Sequence, residues 1–220
     1  MPRTLLLDLD GTLVDTVPDL AAALNRLMTS RRLKLFSHAE TAAMVGDGVA
    51  ALVRKAFTAR GGEPDAEAIA EFSQDYAANA AVDSRPYPHV PAVLRDLAGQ
   101  GWRLAVCTNK PEGAARSLLD AVGLLAMMRA VGGGDSFPVR KPDPAHMTAT
   151  LLAAEGSPNR SIMAGDHAND IVAASGAGLP CIFAAWGYGP PAMAQGAVAI
   201  ARDITEMAEI ANRLVPPNRD

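Results

Sequence analysis

Two aspartates stand two residues apart at the end of an apolar run in LLLDLDGTLVDT, residues 5–16. Leu5-Leu6-Leu7 gives way to Asp8, Leu9 and Asp10, then to Gly11 and Thr12. Two neighbouring like charges repel, so such a pair binds a cation, shares a proton, or marks where a strand meets water. Other polar groups also follow apolar runs: Thr108-Asn109-Lys110, and Asp166 with Asp170 four residues on, while Lys141 stands in Arg140-Lys141-Pro142. Three carboxylates with water make a hard oxygen site for Mg²⁺, and Asp8, Asp10 and Asp166 are the candidates, with Asp170 in support. The ion relieves the repulsion between the acids. Thr108, Lys141 and the backbone N–H groups of the Asp8–Thr12 turn can hold phosphoryl oxygens. Asp8 is then placed to attack phosphorus and form an aspartyl phosphate. Asp10 can protonate the leaving alkoxide and later activate water, offering its backbone carbonyl to the metal. Metal, lysine and backbone donors would stabilise charge on the transferring group.

Such a site needs elements that bring distant residues to one edge. Short apolar runs predict strands over residues 4–8, 103–107, 130–131, 161–164 and 180–184. Helical patterns lie between and after them, at about 89–99, 111–122, 143–155, 168–177 and 203–214. Alternation of this kind predicts an α/β fold, a Rossmann-like parallel sheet with helices on both faces. Ligands bind beyond the carboxyl ends of such strands, where Asp8, Thr108 and Asp166 fall. Asp143 can cap a helix whose first position suits Pro144. Residues 16–85 break the alternation with helical patterns at about 18–28, 37–44, 48–60 and 64–80. They predict an all-helical cap inserted into a core of residues 1–15 and 86–220. Thr16 and Asp19 have the spacing of a capping box for its first helix. Asp83-Ser84-Arg85-Pro86-Tyr87-Pro88 reads as the hinge or linker back to the sheet.

Bulk properties narrow the function classes. The 220 residues suit one or two domains, and 49% hydrophobic residues suit a folded core. A net charge of -4 and the lack of interleaved basic and aromatic residues argue against a nucleic-acid partner. No stretch approaches the roughly 20 apolar residues of a membrane span. The start, MPRTLLLDLDG, has too short an apolar run for a signal peptide. Cys107 and Cys181 sit in apolar runs and read as reduced strand residues, which fits a cytoplasmic protein. Gly132-Gly133-Gly134 lacks the lysine and spacing of a nucleotide-binding P-loop. Asp135 is a candidate support for Lys141 or the metal, and Lys110 a contact for a substrate carboxylate or a surface charge. Arg54, Lys55 and Arg85 are also possible carboxylate contacts. The tail VPPNRD is expected to fray.

The motifs, taken together, resemble those of the haloacid-dehalogenase superfamily phosphatases, and most closely the phosphoglycolate phosphatase group. DLDGTLVD at 8–15 resembles the first motif, with Asp8 as nucleophile and Asp10 as acid/base. AVCTNKP at 105–111 resembles the second, where Thr108 binds the phosphoryl group, and Asn109 and Gly11 are its neighbours in phosphate binding. Lys141 in RKPDP resembles the third, and Asp166 and Asp170 in MAGDHAND the fourth. The match runs over about residues 4–189 and keeps the order of motifs. GDGVAALVRKAF at 46–57 and WGYG at 186–189 are similar to segments of phosphoglycolate phosphatases. His167 and Thr16 stand where serine is more usual. The resemblance implies Mg²⁺-dependent hydrolysis of a small, carboxylate-bearing phosphomonoester, 2-phosphoglycolate first. Sugar-phosphate phosphatase, pyrophosphatase and beta-phosphoglucomutase-like activities remain alternatives, as does a non-enzymatic regulatory protein on the same scaffold. A dehalogenase would lack the acid at Asp10. Monomer and homodimer are both open.

Overall fold

A computed structural model describes residues 2–217. Its centre is strand β1 (Arg3–Leu7), where Leu5, Leu6 and Leu7 are all fully buried. Successive side chains point to opposite faces. Leu5 and Leu7 therefore join one hydrophobic cluster and Leu6 another. Each full burial of a leucine contributes about 1.5–3 kcal/mol.

After β1 the chain makes a two-residue strand β2 (Val14–Asp15) and enters four helices: α1 (Val17–Ser30), α2 (His38–Ala42), α3 (Val49–Ala59) and α4 (Ala66–Asn79). These helices bury their own cluster, including Leu24, Met28, Val53, Phe72 and Tyr76. Strand β3 (Arg85–Pro86) then returns antiparallel to β2, pairing Val14 with Pro86 and Asp15 with Arg85. The capping box expected at Thr16 and Asp19 does not form. Thr16 has helical rather than extended backbone angles, and its side chain caps nothing. Asp19 instead accepts hydrogen bonds from Asp83 N at 2.9 Å, Ser84 N at 2.8 Å and Ser84 Oγ at 2.6 Å. The first cap helix is thereby fastened to the returning chain.

The remaining elements complete the core: α5 (Val90–Gly99), β4 (Trp102–Cys107), α6 (Glu112–Ala121), β5 (Met128–Gly132), α7 (Pro144–Ala153), β6 (Ser161–Gly165), α8 (Ala168–Gly176), β7 (Cys181–Ala184), β8 (Ala199–Ala201) and α9 (Ile204–Leu214). The six-stranded sheet runs β5-β4-β1-β6-β7-β8, with all neighbours parallel. Helices α5, α6 and α9 cover one face, and α7 and α8 the other. Asp143 accepts from Ala145 N at 2.8 Å, and Pro144 opens α7. The β8 edge strand is an addition to the five strands expected. The tail departs from expectation in part: Val215 is buried and accepts from Arg3. Its last three residues, 218–220, lie outside the described chain. Cys107 and Cys181 are free and buried. Among the described residues no helix is long and apolar enough to cross a membrane.

The order of strands places a switch point at β1. The chain leaves it for β4 and β5 on one side, then crosses to β6, β7 and β8 on the other. Ligands bind in the crevice at such a point. The loops after β1, β4 and β6 converge there.

Candidate active site

Asp8 follows β1, and its backbone N–H donates to Ala164 on the adjacent strand. This bond extends the β1–β6 ladder by one residue and fixes where the carboxylate leaves the sheet. Asp8 is 7% exposed. Its Oδ1 accepts from Leu9 N at 2.7 Å and lies 3.0 Å from Lys141 Nζ. Lys141 also donates to Asp170 Oδ1 and to Cys107 O, each at 2.6 Å. The lysine thus links three parts of the rim. Asp170 is fully buried, and its other oxygen accepts from His167 N at 3.0 Å. That bond is half of a capping box at the start of α8, since His167 in turn accepts from Asn169 N. A histidine ring nitrogen thus fills the place that a side-chain oxygen takes at most capped helix starts.

Asp166 accepts from Thr12 Oγ1 and from Tyr188 N, both at 2.8 Å. Gly11 supplies the turn that brings Thr12 there. Its φ is +84°, and a Cβ at this position would lie 2.4 Å from Asp166 Oδ2. Only glycine fits both the angle and the close approach. Asp8, Asp166 and Asp170 offer oxygens that all lie within 4.8 Å of one another.

The charges explain why these acids are unusual. Burial pushes the Asp8 carboxyl up to about 6; Lys141 pulls against it, while Asp170 and Asp10 add to it. Burial, Asp8 and Asp170 push Asp166 up to about 7, although Thr12 and Tyr188 donate to it. Burial by itself would lower Lys141, but Asp170 and Asp8 outweigh it and hold the ammonium well above its ordinary range. Four carboxylates, those of Asp8, Asp10, Asp166 and Asp170, face two lysines, Lys110 and Lys141. Two negative charges remain, which one divalent cation cancels. The all-oxygen donor set suits a hard cation, so the residues fit a metal. Both oxygens of Asp170 are engaged by Lys141 and His167, and both of Asp166 accept from Thr12 and Tyr188, whereas Asp8 Oδ2 accepts from no described residue and is the oxygen freest to ligate.

Asp10 lies outside this acidic group. Lys110 Nζ holds its two oxygens at 2.9 and 3.2 Å and also donates to the hydroxyl of Tyr76 on α4, at 2.6 Å. Burial would lower Lys110, but Asp10 and Tyr76 raise it further. Thr108 and Asn109 complete the rim. The Thr108 N–H donates to Gly132, and Asn109 Nδ2 spans Lys141 O and Gly46 O, each at 2.9 Å.

That last bond joins core to cap. Gly46 packs so closely on His167 that a Cβ would lie 2.6 Å from the ring, at a φ of +119°. Asn169 Nδ2 donates to Asp47 Oδ1 at 2.7 Å, and Lys55 pairs with the other oxygen of Asp47 at 2.6 Å. Between the two parts lies a cavity of about 30 Å³. Its floor is Asp8, Asp10, Thr108, Asn109 and Lys110; its roof is Leu20, Val45, Val49, Leu52 and Tyr76 with the Gly46 and Gly48 backbone.

The structure therefore assembles Asp8, Asp10, Gly11, Thr108, Asn109, Lys141, Asp166 and Asp170 around one crevice. Some expected helpers lie elsewhere. Asp135 accepts from Glu112 N and caps α6, so it supports neither Lys141 nor the acids. Lys55 is committed to Asp47, and Arg85 to the carbonyls of Val82 and Ser84. Lys110 is a buried residue of the site, not a surface charge. Tyr76 was missed because it sits in a cap helix, with nothing local to distinguish it from core packing. Tyr188 was visible in WGYG, but not its role. Its hydroxyl donates to Asp15 at 2.8 Å and accepts from Thr16 N at 2.7 Å, tying the site loop to the hinge.

Known proteins share much of this chain's sequence and fold. The model of the family described as "Haloacid dehalogenase-like hydrolase" matches residues 5–184. A phosphoglycolate phosphatase of Caulobacter vibrioides is 41% identical over 189 residues, covering 84% of this chain and 80% of its own. That of Rhodospirillum rubrum is 38% identical over 218 residues, covering 95% and 90%. The crystal structure of a predicted phosphoglycolate phosphatase from Haemophilus somnus superposes with a TM-score of 0.87 at 30% identity, covering 94% of this chain and 97% of that one.

Proposed function

This chain belongs to the haloacid dehalogenase-like hydrolase family, and from that premise we propose that its substrate is 2-phosphoglycolate, which it hydrolyses with Mg²⁺ through Asp8. It is an enzyme, a phosphatase of small phosphate monoesters. The observation that carries the reading is the convergence of Asp8, Lys141 and Asp166 at the sheet's switch point, with Asp10 two residues from Asp8 on a separate ion pair.

The roles follow from position. The Asp8 carboxylate attacks phosphorus, and the bond from phosphorus to the alkyl oxygen breaks. Asp10 gives its proton to that oxygen. Lys110 grips both oxygens of Asp10, so this pair is loosened while Asp10 carries the proton and re-forms when the proton is delivered. As carboxylate, Asp10 takes a proton from the water that hydrolyses the aspartyl phosphate, and Asp8 is restored. Thr108, Asn109, Gly11 and Lys141 hold the phosphoryl oxygens. Asp8, Asp166 and the Asp10 carbonyl would hold Mg²⁺, with Asp170 positioning Lys141; the ion supplies Lewis-acid charge for those oxygens. Residues 16–85 act as a cap that swings on β2 and β3 relative to residues 1–15 and 86–220. It opens to admit substrate and closes to exclude bulk water. The apolar roof supports that reading.

Phosphate release in Mg²⁺ should be compared for 2-phosphoglycolate, sugar phosphates, pyrophosphate and nucleoside monophosphates. The reading predicts the highest kcat/KM for 2-phosphoglycolate and loss of turnover in EDTA. Preference for any other member of the panel overturns the substrate, and EDTA-resistant turnover overturns the metal.

A further inference from the structure

We propose that Tyr76 and Lys110 together form the subsite that recognises the substrate's carboxylate, so that a cap residue reads the charge lying next to the scissile bond. This inference rests on the acidic substrate proposed above. It begins with the charges around the cavity. Among the described residues lining it, Lys110 is the one cation. The roof contributes apolar side chains and a single side-chain hydroxyl, that of Tyr76. The basic residues of the cap are spent elsewhere or face solvent: Lys55 on Asp47, Arg60 on Glu40, Arg26 on Asp75, and Arg54 exposed. Among the side chains lining the cavity, the cation that an entering carboxylate meets is therefore Lys110, with Tyr76 beside it.

The hydrogen bonds give the pair a direction. Lys110 Nζ donates to the Tyr76 oxygen at 2.6 Å and lies 4.5 Å from the centre of its ring. A phenol that accepts from an ammonium becomes a stronger donor through its own O–H, because bonds in a chain polarise one another. Among the described residues no protein acceptor takes the Tyr76 proton. Burial pushes Tyr76 up to about 12, so it remains a phenol and keeps that proton to give. At 2% exposure it works away from competing water.

The geometry also sets length. The same ammonium holds Asp10 at 2.9 Å, and Asp10 is the residue assigned to the leaving oxygen. A carboxylate read by Lys110 must then sit close to the ester oxygen, as it does on a two-carbon acid. A longer acid carries its charge beyond the pair and into the apolar roof.

The test measures kcat and KM of the Mg²⁺-loaded full chain with 2-phosphoglycolate, the phosphate ester of 3-hydroxypropionate, and ethyl phosphate, which has a methyl group in place of the carboxylate. Wild type should prefer 2-phosphoglycolate to both others. Tyr76→Phe should raise KM for 2-phosphoglycolate roughly 10-fold, about the worth of one hydrogen bond to a charged group. It should leave KM for ethyl phosphate within about two-fold, a change too small to register as one lost hydrogen bond. Lys110→Met should erase most of the preference, and Lys110→Arg should restore part of it. If Tyr76→Phe and Lys110→Arg slow both two-carbon substrates by the same factor, the pair merely positions Asp10 and the subsite is overturned. These two variants decide the matter even where Lys110→Met does not fold. A wild type without preference for 2-phosphoglycolate overturns the substrate reading and the subsite together. A wild-type preference that survives in the variants overturns the subsite alone.

Discussion

Replacing Lys141 by methionine keeps most of the side-chain volume and removes one charge. Lys141 is 2% exposed, and its carboxylate partners Asp170 and Asp8 have side chains 0% and 9% exposed. Little solvent is present to compensate either acid. Breaking a buried pair by deleting one partner costs about 3–5 kcal/mol. For a chain of this size each kcal/mol moves Tm by roughly 2–4 °C, which gives a fall of about 6–20 °C. The deficit should depend on pH in a defined sense. Burial already holds Asp8 up to about 6, and loss of Lys141 removes the group that pulls it down. Its charged form is then the unfavourable one, so the cost is full at pH 8 and shrinks as pH falls and Asp8 takes up its proton. Adding Asp170→Asn should return part of the lost stability, because the second stranded charge goes with it. Thermal unfolding followed by circular dichroism, in EDTA at pH 8 and pH 5.5, measures all of this. A fall of less than about 2 °C at pH 8, below what a single kcal/mol would produce, contradicts the view that this lysine neutralises the acids. So does a deficit that grows on acidification.

Gly11→Ala should destabilise by about 1–3 kcal/mol through its positive φ and the contact with Asp166, and should weaken Mg²⁺ binding measured by titration calorimetry; unchanged stability and affinity would dismiss the close approach. In the metal-free wild type, Asp8 at about 6 and Asp166 at about 7 bind more protons folded than unfolded. Their contribution to stability therefore falls as pH rises from about 4 to 7. The urea midpoint of wild type relative to Asp166→Asn should decline over that window in EDTA, and a relative rise would reverse the assigned sign. Asp19→Ala strips three hydrogen-bond donors of their charged acceptor and should cost about 1–3 kcal/mol, with faster hydrogen exchange at Asp83 and Ser84; protection equal to wild type would show that the clasp is idle.

The parts of the fold most visible in the sequence were those whose environment is uniform. Leu5–Leu7, Val106–Cys107 and Ile162–Ala164 are buried on both faces of a parallel sheet, so their apolar runs have no alternation to blur them. Ala199–Ala201 is a three-residue edge strand with Ile200 56% exposed, and carries too little pattern to be seen. Strands β2 and β3 are two residues each and exist only because the cap's two connections lie side by side. Asp19 misled for a related reason: its position in the helix satisfied a local rule, while its partners stand 64 and 65 residues further on. The site divides in the same way. Asp8, Asp10, Thr108, Asp166 and Asp170 lie in motifs that follow β1, β4 and β6, whose ends must meet, while Lys141 reaches them from the connection between β5 and α7. Tyr76 reaches Lys110 across 34 residues from a helix whose amphipathic pattern explains a buried aromatic without any chemistry. Thr12 and Tyr188, which anchor Asp166, are ordinary loop residues until the loops are brought together.

The central claim is that Asp8 carries the phosphoryl group. It is tested most directly by mixing enzyme, Mg²⁺ and 2-phosphoglycolate labelled with ³²P, quenching in acid within the first turnover, and mapping the labelled peptide. The account predicts label on the peptide containing Asp8, released by hydroxylamine as an acyl phosphate is, and none on Asp8→Asn. Label on another residue, or phosphate formed in a full turnover with no labelled protein at any quench time, would contradict it.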